Sequence, residues 1–600
     1  MANRIALYFV VVAIGSSIAS IGFAQLPNPI LTEMFPRGMQ IGTKAEVTIG
    51  GRDIDGPSEL IFGHPGIQAA VKQIPRSEFE DARNATNQFV VEVAENVPPG
   101  IYDVRSFGQF GASTPLSFMV HHETQAVETG GNHSVESATP ILVPSTVYGR
   151  ADANQTDYFR ISVEAGATLA IQCIAEEIGS QIAPVVSILS AKGRPIQRSR
   201  AVRDTTLTQS LAEAGEYVIA IHDGVFSGGG QHVYALQITN RPVVDFVLPA
   251  AGMPGRITEF TFYGRNFPDG TECLLELQKH RLSTFTRKIY VPTEQELIAS
   301  FNNVAEFQGP SFRCSVGDDS AAGGQVTLGL AAAPVTTESE PNEREHATRV
   351  TLPVEYSGTF YPRRDQDWIR FAAKKGQQLQ IAVHNSPNGI EIDPAVYVWQ
   401  VAKSADGKET FANRNVTDDA ILNGSRYGRR IPRSLDYSET NPALLFTVPE
   451  DGDYCVSARD LYGNARNDPR AAYRLIVKPA EPSFRIIAWT QRFRNENNNK
   501  KVERASLALL PGESREILVD VIREGGFRGE VRLTANGLPK GVTCAEMVVA
   551  DGQTEAAIVL TASTDTTPTY GAVRIVGQAA IDGTKITRNA TLGLLTSDVG

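Results

Sequence analysis

The strongest constraint on this chain is that it repeats itself. Asp157-Tyr158-Phe159-Arg160-Ile161 aligns with Asp367-Trp368-Ile369-Arg370-Phe371, an offset of 210 residues. At the same offset Gly166 meets Gly376, Leu169 meets Leu379, Ile171 meets Ile381 and Pro184 meets Pro394. An ungapped match over about forty residues, with the apolar positions held, is an internal duplication. A second pair lies upstream: PRGMQIGTKAEVTIGGRDI from Pro36 aligns with PAAGMPGRITEFTFYGRNF from Pro249, an offset of 213. There Gly42 meets Gly255, Thr48 meets Thr261, and Gly51-Arg52 meets Gly264-Arg265. The repeated unit is therefore two modules long.

The modules read as β. Short apolar-polar alternations such as Ala45–Ile49, Phe89–Val93, Tyr158–Val163 and Thr168–Cys173 are separated by turn residues. Six hundred residues exceed one core, and 52 glycines and 34 prolines suit many short strands. The expected fold is all-β: tandem β-sandwich or jelly-roll domains, about five of them, with an internal duplication. The net charge of −11 argues against nucleic acid as the main partner, because phosphate binding needs a clustered basic face.

Residues 1–24 read as a signal peptide. Arg4 precedes the apolar run Ile5–Ile14, and Gly22-Phe23-Ala24 offers small residues for cleavage after Ala24. No later stretch has the ~18 consecutive apolar residues of a spanning helix, so no transmembrane segment is expected in the mature chain. The expected location is extracellular, cell-surface or periplasmic. The five cysteines (Cys173, Cys273, Cys314, Cys455, Cys544) include no C-x-x-C pair. Four of them align with apolar residues of the other copy, which predicts small buried hydrophobes. A Cys273–Cys314 bridge stays open as an alternative.

The duplicated Asp-aromatic strand, the glycine turn and the later GEYVIAIHD and GDYCVSARD resemble the pre-peptidase C-terminal (PPC) domain. The segment Glu338–Ala347, ESEPNEREHA, leading into the second copy, resembles that family too. The upstream pair, with its Gly-Arg-Asp/Asn ending, resembles immunoglobulin-like IPT/TIG domains. The implied order is a sandwich at 25–122, a first PPC-like copy at 123–241, a sandwich at 242–335, a second PPC-like copy at 336–479 and an immunoglobulin- or fibronectin-like sandwich at 480–600. Ala331–Thr337 reads as a linker and Asn495–Lys501 as a loop. The second copy is longer than the first by 27 residues, in a segment holding Arg426, Arg429, Arg430, Arg433, Tyr427 and Tyr437. A solvated loop and a contact surface for an acidic ligand or partner are both open there.

No catalytic set stands out. There is no H-E-x-x-H and no G-x-S-x-G, and the nine histidines are scattered. Paired acids such as Asp418-Asp419 serve glycoside hydrolysis only across a cleft. The candidate site is a calcium site. Glu338, Glu340, Asn342 and Glu343 crowd one segment, and Asp365 and Asp367 precede the strand. Calcium takes six to eight oxygens, and carboxylates on a pliable loop supply them. The resemblance implies the same ligands, because some collagen-binding PPC relatives carry E-x-E-x-N-D there; Glu343 departs from that pattern. In the first copy Gly130 and His133 replace Glu340 and Glu343, and Gln155 replaces Asp365, so calcium binding there is expected to be weak or absent.

The expected function is that of an exported, non-catalytic binding or scaffold protein. The resemblance implies contact with polysaccharide or protein through exposed aromatics, for which Tyr361, Trp399, Tyr427, Tyr437 and Tyr462 are candidates; core packing is the plainer role for each. An accessory of a secreted peptidase acting in trans is the alternative, and an unrecognised hydrolase a further one.

Overall fold

The computed structural model describes residue 27 and residues 29–593, apart from 200–204, 278–279, 294–295, 298–310, 316–324, 391, 418–441, 490, 497–498, 505–508, 568, 570 and 572. The leader expected at 1–24, the Arg/Tyr-rich insertion and Asp418-Asp419 lie outside these residues. The chain is nearly all β, with 58% of residues in strands and 1% in helix. Among the described residues no helix is long and apolar enough to cross a membrane.

Strands form where apolar residues alternate, and they pair face to face to bury one side. In the first module, Ile30–Phe35, Lys44–Arg52, Arg83–Val93 and Ile67–Ile74 follow one another across one sheet. Gly38–Gln40, Leu116–His121, Gly100–Gly108 and Glu59–Phe62 make the other. Val47, Phe89, Val91, Val104 and Phe118 fill the space between them. The strands Val243–Leu248, Ile257–Arg265, His280–Tyr290 and Thr271–Leu277 repeat the first of these orders.

The first PPC-like copy has strands β1 (Thr124–Val127), β2 (Thr139–Pro140), β3 (Ser145–Arg150), β4 (Asp157–Val163), β5 (Ala167–Ile174), β6 (Pro184–Ser190), β7 (Pro195–Arg198), β8 (Thr205–Leu211), β9 (Gly215–Asp223) and β10 (Val233–Thr239). The second has β11 (Val335–Thr337), β12 (Thr348–Arg349), β13 (Val354–Thr359), β14 (Asp367–Ala373), β15 (Gln378–Asn385), β16 (Pro394–Lys403), β17 (Glu409–Thr417), β18 (Ala443–Thr447), β19 (Gly452–Asp460) and β20 (Ala472–Pro479). The sheets are β1-β3-β10-β5-β8 and β2-β4-β9-β6-β7 in the first copy, and β11-β13-β20-β15-β18 and β12-β14-β19-β16-β17 in the second. The two orders are identical. Gly166 and Gly376 turn β4 into β5 and β14 into β15 at φ of 80° and 79°, a conformation glycine adopts without penalty.

Each PPC-like copy packs against the sandwich before it, but the two seams are filled differently. In the first, Tyr148 on β3 stands opposite Ala235 on β10, and both join an apolar cluster with Phe35, Met119, Ile174 and Ile178. In the second, the positions of that cross-strand pair hold Ser357 and Arg474. The Arg474 guanidinium donates to Glu355 Oε1 at 2.6 Å and to the Leu330 carbonyl at 2.9 Å, while Ala250 N donates to Ser357 Oγ at 2.9 Å. Glu355 is fully buried, so the pair replaces a ring with a desolvated salt bridge.

Three expectations change. Val335–Thr337 is not free linker: it is β11, paired in parallel with β13, and Ala331 and Ala333 are buried beside it. The polar run at Asn495–Lys501 is not a plain loop: Gln491–Glu496 and Asn499–Arg504 pair as a hairpin, since backbone pairing needs no apolar face. All five cysteines are free, and only Cys173 and Cys455 are fully buried. Cys273 and Cys314 sit on strands of different sheets and against separate apolar clusters.

Candidate metal centre

The second copy gathers its acids where the lead-in segment crosses the mouth of the sandwich. Glu338 follows β11, and its backbone N–H donates to the Ser357 carbonyl at 2.9 Å. That contact turns its side chain toward β13. Glu338 Oε1 accepts from Thr359 N at 2.9 Å and Thr359 Oγ1 at 3.0 Å. The space it occupies exists because residue 358 is glycine: a Cβ there would lie 2.0 Å from Glu338 Oε2. Further along, the Asn342 carbonyl accepts from Trp368 N at 3.0 Å, and Asn342 Nδ2 donates to Asp367 Oδ1 at 2.5 Å. These bonds tie the lead-in to the start of β14.

Oxygens of Glu338, Glu340 and Asp367 come within 4.8 Å of one another. Asp365 lies two residues before Asp367, and burial and then the charge of Glu340 raise its pKa. Four inward-facing oxygens have no hydrogen-bond partner: Glu338 Oε2, Asn342 Oδ1, Asp365 Oδ2 and Asp367 Oδ2. Asn342 and Asp367 are fully buried. Buried oxygens left without donors cost free energy unless something positive meets them. Glu343 is placed otherwise. It is exposed, and its carboxylate turns to His346 Nδ1 at 3.8 Å.

The electrostatics agree with crowded acids that lack a counter-charge. Burial, then Asp365 and Glu340, push Glu338 up to about 8. Burial and Glu340 push Asp365 up to about 7. Burial, Glu338 and Asp365 hold Asp367 well above the carboxylate range. Such a set binds protons or a hard cation. The donors are all oxygen, which suits calcium rather than a thiolate- or imidazole-seeking metal.

The first copy keeps part of this arrangement. Glu128 Oε2 accepts from Arg150 N at 3.0 Å, as Glu338 does from Thr359 N. Tyr158 N donates to the Asn132 carbonyl at 2.9 Å, and Tyr234 donates to Asp157 Oδ2 at 2.8 Å. Burial and then Glu128 push Asp157 up to about 8. His133 enters from the side: its Nδ1 lies 3.4 Å from Asp157 Oδ1 and its Nε2 3.7 Å from Asp152 Oδ2.

Sequence reasoning missed the glycine and tyrosine that shape both sites. Gly358 faces Tyr473 across β13 and β20, and Gly149 faces Tyr234 across β3 and β10. Both pairs recur in the duplication, and that recurrence was the available signal.

The sheet face turned away from the core carries an aromatic strip in the second copy. Trp368 and Trp399 stack with ring centroids 5.4 Å apart, Tyr397 stacks on Trp399 at 6.1 Å, and Phe411 meets Trp368 edge-on at 5.9 Å. Arg459 lies over Tyr397 and Arg344 over Phe411. Of the aromatics singled out from sequence, Trp399 joins this strip, Tyr462 is exposed under Arg466, and Tyr361 is half-buried. Tyr427 and Tyr437 lie outside the described residues.

No protein-family model matches the chain. No curated protein matches it either. Among solved structures, the chain is similar to the pre-peptidase C-terminal domain of collagenase from Bacillus anthracis, at 16% identity and a TM-score of 0.15, over 17% of this chain and 94% of that one. It is also similar to the secreted serine protease VesC from Vibrio cholerae, at 8% identity and a TM-score of 0.13, over 36% of this chain. The match spans half the length of that protease chain. Neither likeness says anything of activity or partners at these TM-scores.

Proposed function

We propose that the chain is an exported, non-catalytic binding or scaffold protein in which PPC-like and IPT/TIG-like modules alternate, and that its second PPC-like copy is a calcium-stiffened module. The observation that carries the calcium reading is the set of partnerless, inward-facing oxygens on Glu338, Asn342, Asp365 and Asp367. With Glu340 they offer five side chains, and water completes a calcium shell of six to eight. Calcium would tie the lead-in segment to β13 and β14 at once. Glu343 joins only by turning away from His346.

The binding surface we assign to polysaccharide or protein is the aromatic strip of Tyr397, Trp399 and Phe411, which rests on the buried Trp368. Trp368 directly follows Asp367, and Arg344 lies two residues beyond Asn342. Calcium would therefore steady both the strip and the guanidinium at its end.

Amide hydrogen exchange on the full chain, with calcium and with chelator, tests the metal reading. Calcium should slow exchange in peptides covering 338–370, and Asp367→Asn should remove the effect. Equal exchange with and without calcium would overturn it. Retention on insoluble polysaccharide or collagen, weakened by Trp399→Ala, tests the surface.

A further inference from the structure

The first copy raises a question of its own. It keeps Glu128, Asn132 and Asp157 at the positions of Glu338, Asn342 and Asp367, and it keeps the fold that buries them. Asn132 and Asp157 are each 1% exposed, and Asn132 Oδ1 and Asp157 Oδ1 find no hydrogen-bond partner. Yet the further acids have gone, with glycine at 130 and glutamine at 155. The buried carboxyls persist, and the ligands needed to hold a cation do not.

A base has arrived with that loss. His133 stands one residue after Asn132, and carboxylate oxygens lie beyond both of its ring nitrogens, Asp157 on one side and Asp152 on the other. A carboxyl accepts when ionised and donates when protonated, so each ring nitrogen has a carboxyl group able to meet it. The ring also spans two segments that calcium would join in the other copy: the lead-in at 128–133 and the approach to β4 at 152–157.

We propose that in the first copy the side chain of His133 takes the place of the ion. Its ring, held between Asp152 and Asp157, closes the lead-in onto β4, so this copy shuts its site without metal. The proposal rests on reading the second copy as a cation site, and it makes one member of the pair calcium-dependent and the other self-sufficient. The tyrosine behind each site is common to both: Tyr234 donates to Asp157 as Tyr473 flanks Asp367.

The test uses the full chain and reads the two copies separately by amide exchange. His133→Gln removes the ring; His133→Lys keeps a nitrogen donor at the same place. In His133→Gln, peptides covering 128–160 should exchange about fivefold faster, the scale of a partly exposed polar contact. His133→Lys should stay close to the parent, and peptides covering 338–370 should be unchanged in both. Calcium should not slow exchange at 128–160 in the parent. The combined variant Gly130→Glu, His133→Glu, Gln155→Asp should bind one more calcium per chain by equilibrium dialysis. Parent-like exchange in His133→Gln would overturn the proposal. So would protection of 128–160 by calcium or zinc that His133→Gln abolishes, since the histidine would then be a ligand rather than a substitute. If calcium protects neither copy, the calcium reading falls while the glutamine and lysine variants still decide the role of His133.

Discussion

The two PPC-like copies share one strand order, one glycine turn and one buried Asn-Asp-Tyr arrangement, yet they solve two problems in opposite ways. At the mouth, the second copy crowds Glu338, Glu340, Asp365 and Asp367, while the first has fewer acids and a histidine. At the seam, the first copy packs Tyr148 against Ala235, while the second buries Arg474 on Glu355 beside Ser357. At the seam both answers lie within the chain, apolar packing in one copy and a buried ion pair in the other. A duplicated backbone thus fixes where a burden falls and leaves open how it is carried.

The contrast at the seam breaks most easily. Arg474→Ala leaves Glu355 buried and uncompensated, and should cost about 3–5 kcal/mol. Chemical denaturation of the full chain followed by peptide-resolved exchange would show the loss centred on 330–360 and 470–480. A loss below about 1 kcal/mol would mean that water enters and solvates Glu355.

At the mouth, Asp367→Asn should weaken calcium binding by on the order of a hundredfold, measured by titration calorimetry on the full chain. In the parent, calcium at a hundred times Kd should add about 2.7 kcal/mol to the second copy and nothing to the first.

The pH dependence sharpens the same contrast. Without metal, Glu338 and Asp365 keep their protons to about 8 and about 7, above their values in an unfolded chain. Raised acids contribute stability that is complete below the ordinary carboxylate range and drains away as pH rises through those values. The metal-free second copy should therefore loosen between about pH 5 and about pH 8, read by exchange corrected for its intrinsic rate. Calcium competes with the same protons, so its affinity should climb over that interval.

The smallest expected effect is on the outer face. Trp399→Ala removes a stacked, half-buried ring and should cost about 1–2 kcal/mol, seen as a lower melting point with calcium affinity unchanged.

The repeat made the fold class readable. An offset of 210 residues that holds Gly166 and Gly376 at one turn leaves little besides a duplicated β module. The convergence of the acids was readable in part. Glu338, Glu340 and Asp367 converge because they bracket one strand and its lead-in, whereas Glu343 turns outward to His346. Other features were hidden, because they join strands far apart in sequence. Arg474 meets Glu355 across 119 residues, and Trp399 meets Ser457 across 58. Polarity misled at 495–501, where Gln491–Glu496 pairs with Asn499–Arg504.

The unlike seams also bear on how such a chain could be rearranged. Tyr148 and Ala235 form a matched set with Met119, as do Ser357 and Arg474 with the Leu330 carbonyl. Two copies with the same blueprint are therefore not spare parts for each other. A graft of 336–479 behind the first sandwich would bring Arg474 to a wall of methionine and isoleucine, with Glu355 as its remaining acceptor. The serviceable unit of exchange is the sandwich together with the copy that follows it, and any shuffling that preserved stability would have to move them as a pair.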